Sequence, residues 1–138
     1  MVKTGRNERV AVITGASSGI GAATARILAG QGFHVVAVAR RADRIHALAE
    51  EIGGTAIVAD VTDDAAVEAL ASKLSRVDVL VNNAGGARGL EPVTDSDLEN
   101  WRWMWETNVI GTLRVTRALL PKIGRASWRE RVYIWVVG

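Results

Sequence analysis

Three glycines, Gly15, Gly19 and Gly21, follow a short apolar run that contains Val10, Val12 and Ile13, and a helical pattern begins at once after them. The β-branched run reads as a buried strand. A strand that turns through glycines into a helix leaves the first N–H groups of that helix without partners, and those groups attract phosphate oxygens. The spacing G-x-x-x-G-x-G therefore points to a pyrophosphate cradle built from Gly15, Ser17, Ser18, Gly19, Ile20 and Gly21. Gly15 permits the tight turn, Gly19 lets the backbone approach the ligand, and Gly21 lets the helix pack close to the strand. A glycine triad alone also fits an ordinary strand–turn–helix corner, so the neighbouring chemistry decides.

That chemistry lies at the ends of later strands. After the second apolar run the chain reads Ala39-Arg40-Arg41, with no acid before Asp43. An acid here would receive a ribose 2′-hydroxyl, whereas a guanidinium pairs with a 2′-phosphate. Arg40 is the first candidate for that pairing, Arg41 stands behind it, and Ser17 can add a hydroxyl. Two solvated arginines at a helix start are the plain alternative, which the helix dipole disfavours. Asp60-Val61 ends the third strand at the same sheet edge. Asn82-Asn83-Ala84-Gly85 follows the fourth, and adjacent asparagines after a buried strand are costly unless hydrogen-bonded. Asn108 sits within a long helical stretch, where a plain exposed amide is the competing reading.

TGASSGIG, Asp60-Val61, Asn82-Asn83-Ala84-Gly85 and Asn108 together, in this order and rough spacing, resemble the N-terminal half of the short-chain dehydrogenase/reductase family over about residues 9–122. The resemblance implies hydride transfer between a nicotinamide and a small alcohol or carbonyl compound. Arg40 in the family pattern favours NADP over NAD. Asp60 would meet the adenine amino group and the N–H of Val61 a ring nitrogen. Asn82, Asn83, Ala84 and Gly85 would brace the central strand and pass close to the cofactor ribose and nicotinamide side. Asn108 would distort its helix locally and hold a water in the catalytic proton relay. The stretch VVAVARRADRI and the loop GLEPV hint at hydroxy acids or hydroxy amino acids as substrates. A homodimer or homotetramer assembled through the long helix is also implied.

The family's catalytic tyrosine is followed four residues later by lysine and preceded by a serine. Tyr133 is the single tyrosine here, Val137 follows it at that spacing, and Ser127 lies too close before it. No catalytic role is carried onto Ser127 or Tyr133, and the chain is expected to bind the adenine half of the cofactor without turnover. The alternative is a non-catalytic dinucleotide-binding Rossmann module; a regulator of related fold without the tyrosine is a third reading.

The elements that must position these residues follow from periodicity. Helices are expected over 20–30, 42–52, after Thr62 or Asp63, from Thr94 or Asp95, and over 101–120 before Pro121. Strands are expected over 10–13, 35–38, 55–59 and 77–81. Strands alternating with helices imply parallel units with right-handed crossovers. The fold class is α/β, a doubly wound Rossmann-type sheet in the order 3-2-1-4, truncated after the long helix. Trp101, Trp103 and Trp105 alternate against helical spacing and read as partly core, partly interface.

Composition narrows the field further. With 49% hydrophobic and 23% charged residues, the 138-residue chain reads as one globular domain. It has no cysteine, which excludes disulfides and thiolate chemistry, and His34 and His46 lack partners at metal-ligand spacing. The polar start is no signal peptide and no run is long enough for a membrane, so the cytoplasm is expected. Arg125, Arg129 and Arg131 against Glu130 account for the whole net charge of +2, so the basic balance gives no argument for nucleic acid. Residues 123–138 resemble a translated sequencing adapter, differing from it at Trp128, Tyr133, Trp135 and Gly138. A partial cofactor-binding domain over 1–122 and a non-native tail over 123–138 are therefore expected. Within that tail, residues 133–137 are β-branched and aromatic and would pair on the open edge of the fourth strand.

Overall fold

β1 (Arg9–Thr14) is the central strand, with β2 (Phe33–Ala39) on one side and β4 (Val79–Asn82) on the other. The computed structural model describes residues 1–5, 8–124 and, for the backbone alone, 133–136. β3 (Thr55–Val58) lies outside β2, which gives the expected order 3-2-1-4, and β5 (Tyr133–Val136) extends the sheet beyond β4. Every pairing is parallel. The register runs from Arg9 opposite Phe33 to Thr14 opposite Val38, and from Ala11 opposite Val79 to Ile13 opposite Val81. The β5 backbone, with Tyr133 opposite Val79 and Val136 opposite Asn82, takes the edge position expected of residues 133–137. Ser127, Trp128, Val137 and Gly138 lie outside the described residues.

Helices cover both faces because the strands are apolar on both. Side chains alternate along a strand, so Val10 and Val12 join Val36, Val38, Val67, Leu70, Val115 and Leu119 in one core layer. Ile13 joins Val35, Ala37, Ala22, Ala25 and Leu48 in the other. The second layer is held by α1 (Gly19–Gly30) and α2 (Ala42–Ile52), the first by α3 (Asp64–Ser72) and α5 (Gly111–Leu119). The small residues Ala22 and Ala25 bring α1 close to the sheet, and α2 stops at Gly53, whose φ of 65° suits a left-handed cap.

One expected helix start is met and one shifts. Asp63 caps α3 through the N–H of Ala66, while Thr62 turns instead to Asp60. Thr94 and Asp95 lie in a 3-10 turn, and Asp97 caps α4 (Leu98–Met104). The long helix expected over 101–120 is not uniform. After α4 it widens into a π-helical segment, Trp105–Ile110, and then returns to α-helix in α5 before a short 3-10 turn at Leu120–Lys122. Among the described residues no helix is long and apolar enough to cross a membrane.

Candidate functional site: a cleft at the carboxyl ends of the strands

Gly15 opens the turn after β1 with a φ of 66°, and Gly19 has a φ of 55° with open space where a Cβ would stand. Both conformations favour glycine. Ser18 takes the N-cap position of α1 but makes no capping bond with its side chain, so the hydroxyl is free for other work. Gly21 packs more tightly than a strand contact alone requires. A Cβ there would stand 2.4 Å from Asn83 Nδ2 and 2.5 Å from the Gly15 carbonyl oxygen.

Thr14 explains the crowding. Its buried hydroxyl oxygen accepts from the backbone N–H of Asn83 at 3.1 Å and of Ala84 at 3.0 Å. Asn83 returns the contact, its Nδ2 donating to the carbonyls of Thr14 and Gly15 at 3.2 Å each. The ends of β1 and β4 are thus stitched together, and the glycine turn is fixed to that seam. Asn82 Nδ2 donates to Thr116 Oγ1 at 3.1 Å, which anchors β4 to α5. Asn83 thus meets the hydrogen-bond requirement read from the sequence through its Nδ2, whereas Asn82 meets it in part: its buried Oδ1 has no partner among the described residues.

The basic end of the cleft divides its two arginines. Arg41, not Arg40, is the organised one: its Nε and Nη2 donate to Ser17 Oγ at 3.1 and 2.8 Å, and Nη2 donates to Ser18 Oγ at 2.7 Å. Arg40 Nη1 lies 3.8 Å from Asp60 Oδ2. Asp60 Oδ1 accepts from the N–H and hydroxyl of Thr62 at 2.9 and 2.8 Å. Partial burial pushes the Asp60 carboxyl up, but the two Thr62 bonds and the Arg40 and Arg114 cations outweigh it and hold the carboxyl below its ordinary range.

These groups line one cleft of about 240 Å³. It brings together Gly15, Ser17, Ser18, Arg40, Arg41, Asp60, Val61, Asn83, Ala84 and Gly85 from the sequence candidates, and adds Trp103 and Thr107. Gly19, Ile20, Gly21, Asn82 and Asn108 are not in its wall. Ile20 is an exposed residue in the first turn of α1. Asn108 acts from behind: its Oδ1 accepts from the N–H of Gly86 and its Nδ2 donates to the Gly86 carbonyl, both at 2.9 Å. The amide thereby holds the loop after β4 from inside the π-helical segment.

Three site residues were not identified from sequence. Thr14 reads as the first residue of the glycine turn but ends β1, and nothing local shows which strand end faces it. Trp103 was grouped with its neighbours, but Trp101 and Trp105 are exposed while Trp103 lines the cleft under Arg88, whose guanidinium carbon lies 4.0 Å from the ring centroid. Thr107 is buried and its hydroxyl has no partner among the described residues. Its place beside Asn108 was the available signal.

A doubly wound parallel sheet with a glycine-turn cleft at the carboxyl ends of its strands defines a dinucleotide-binding Rossmann protein. The chain belongs to the short-chain dehydrogenase family, whose model matches residues 9–130. It is 80% identical over 123 residues to an uncharacterised oxidoreductase of Mycobacterium tuberculosis, covering 89% of this chain and 49% of that protein. It is 43% identical over 118 residues to a serine 3-dehydrogenase of Agrobacterium fabrum, covering 81% of this chain and 47% of the relative. An NADP-dependent 3-hydroxy acid dehydrogenase of Salmonella typhi is 41% identical over 118 residues, with 81% and 48% covered. Among solved structures, a closed serine dehydrogenase complexed with NADP+ superposes with a TM-score of 0.84 at 35% identity, covering 94% of this chain and 53% of that one. The chain spans about half the length of the curated relatives it matches.

Proposed function

We propose that this chain is the cofactor-binding half of an NADP-dependent oxidoreductase that moves hydride between the nicotinamide and a small alcohol or carbonyl compound, with a short hydroxy acid as the preferred class. The observation that carries the reading is the Arg41 fork held on Ser17 and Ser18 at the end of a strand that offers no carboxylate. A guanidinium fixed in this way is prepared for a 2′-phosphate and leaves a ribose hydroxyl without an acceptor. The relatives named for serine and for 3-hydroxy acids support the substrate class.

The residues present fit such a cofactor. The open space above Gly19 and the uncapped start of α1 would take the pyrophosphate, Arg41 and Arg40 the 2′-phosphate, and Asp60 and Val61 the adenine. The nicotinamide, once bound, supplies the hydride acceptor or donor. With the 2′-phosphate at Arg41, it would lie toward Ala84, Gly85 and Trp103. Asn108 would hold the loop at Gly86 and a water in the proton relay. The proposed site for parent assembly is the exposed row Leu98, Trp101, Trp105, Val109 and Leu113 along the long helix, which suits a homodimer or homotetramer.

Calorimetric titration tests the cofactor assignment. The chain is expected to bind NADP+ at least tenfold more tightly than NAD+, and Arg41→Gln is expected to remove most of that preference, on the scale of one charge-assisted hydrogen-bond pair of about 1.5–3 kcal/mol. Equal affinity for the two cofactors in the unaltered chain would refute it.

A further inference from the structure

One well-connected side chain near the cleft does not line it. Arg114 of α5 is only 16% exposed and uses its whole fork. Nη1 donates to the Val61 carbonyl at 3.0 Å, Nη2 to Glu106 Oε1 at 2.8 Å, and Nε to Asp64 Oδ1 at 2.5 Å. Each partner belongs to a different segment. Val61 is the wall of the cleft after β3, Asp64 is the first residue of α3, and Glu106 lies in the π-helical segment beside Thr107.

The same helix holds Val61 from a second direction. Gly111 stands one turn before Arg114, and a Cβ on it would come within 2.8 Å of Val61 Cγ2. Val61 is thus gripped by its carbonyl and by its side chain from one face of α5, while Thr107 is placed by the segment that Arg114 ties down through Glu106. A lysine cannot reproduce this arrangement, because three acceptors at three fixed angles require a planar fork. Hydrogen bonds to Asp64 and Glu106 favour the charged form of the guanidinium.

Resting on the cofactor reading above, we propose that Arg114 is a positioning residue for the adenosine half of the cofactor: it sets Val61, and with it the adjoining Asp60, against the π-helical segment. It touches no ligand. Its effect reaches the cofactor through the wall it holds.

The test uses the full 138-residue chain. 2′,5′-ADP, NADP+ and NAD+ are titrated calorimetrically into the unaltered chain, R114M and R114K, with circular dichroism to establish folding. Folded R114M is expected to bind 2′,5′-ADP and NADP+ about tenfold more weakly, by the same factor for both, with the NADP+ to NAD+ ratio unchanged. R114K is expected to fall between the two. Unchanged affinities in both variants, accompanied only by a lower melting temperature, would overturn the proposal and leave the cofactor reading intact. An unaltered chain that binds none of the three ligands overturns the cofactor reading and this inference with it. R114K decides the matter where R114M does not fold, and loss of folding in both overturns the proposal by making Arg114 part of the frame itself.

Discussion

Thr14 shows how one hydroxyl can govern a site it does not line. Its oxygen satisfies two part-buried backbone N–H groups across the β1–β4 seam, and a buried N–H left unpaired costs about 1–3 kcal/mol. Thr14→Val, which keeps the shape and removes the acceptor, is expected to destabilise the chain by about 2–4 kcal/mol in urea unfolding, whereas Thr14→Ser is expected to stay within about 1 kcal/mol. Asp60 gives a pH signature. Because its folded carboxyl titrates below the ordinary range of about 3.9, the stabilisation it gives is complete above that value and is lost as pH falls through the lower folded value. Asp60→Asn is expected to lower stability at neutrality, where the carboxylate contributes in full, and to converge with the unaltered chain at acid pH, which flattens the acid side of the stability–pH curve. The glycines and asparagines were legible because a backbone demand restricts the residue type. The Thr14 seam and the bonding of Arg41, rather than Arg40, to Ser17 and Ser18 were not, because each depends on which side chains the crossovers bring opposite, and local sequence does not carry that information.

At the scale of elements, the fourfold strand–helix alternation was readable from apolar periodicity, and the sheet order followed from handed crossovers. Helix starts were less readable. Thr62, Asp63, Asp95 and Asp97 are all competent caps, and the choice depends on tertiary partners such as Asp60 for Thr62. The π-helical segment has no proline or glycine pair to announce it. It persists because Asn108 replaces lost helical regularity with two bonds to Gly86, the type of compensation that π segments at functional sites require. β5 has an energetic consequence of its own. A chain ending at Gly124 leaves the Val79–Asn82 edge unpaired, and an apolar strand edge recruits other chains. That truncation is expected to raise the apparent mass in light scattering. A truncated chain that stays monodisperse with the same unfolding midpoint would show that β5 contributes nothing to the edge.

At the scale of the whole molecule, the cleft lies entirely within residues 9–130, which match the family, while the chain covers about half the length of the relatives. Tyr133 has Val137, not lysine, at the spacing where the family places its proton-transfer pair. The purified chain is therefore expected to bind NADP+ yet to form no reduced nicotinamide with serine or 3-hydroxybutyrate, followed by absorbance. Turnover that scales with chain concentration would contradict this. The central position of β1 also has a consequence for how the chain is made. β1 ends at Thr14, but its second neighbour, β4, is complete only at Asn82. At ribosomal rates of about 5–20 residues per second, the nascent strand waits on the order of 3–14 s before that partner has been translated. Once β1 has left the exit tunnel, and until β4 follows, one edge of this apolar strand lacks its partner, and this is the period when a chaperone would have most to bind.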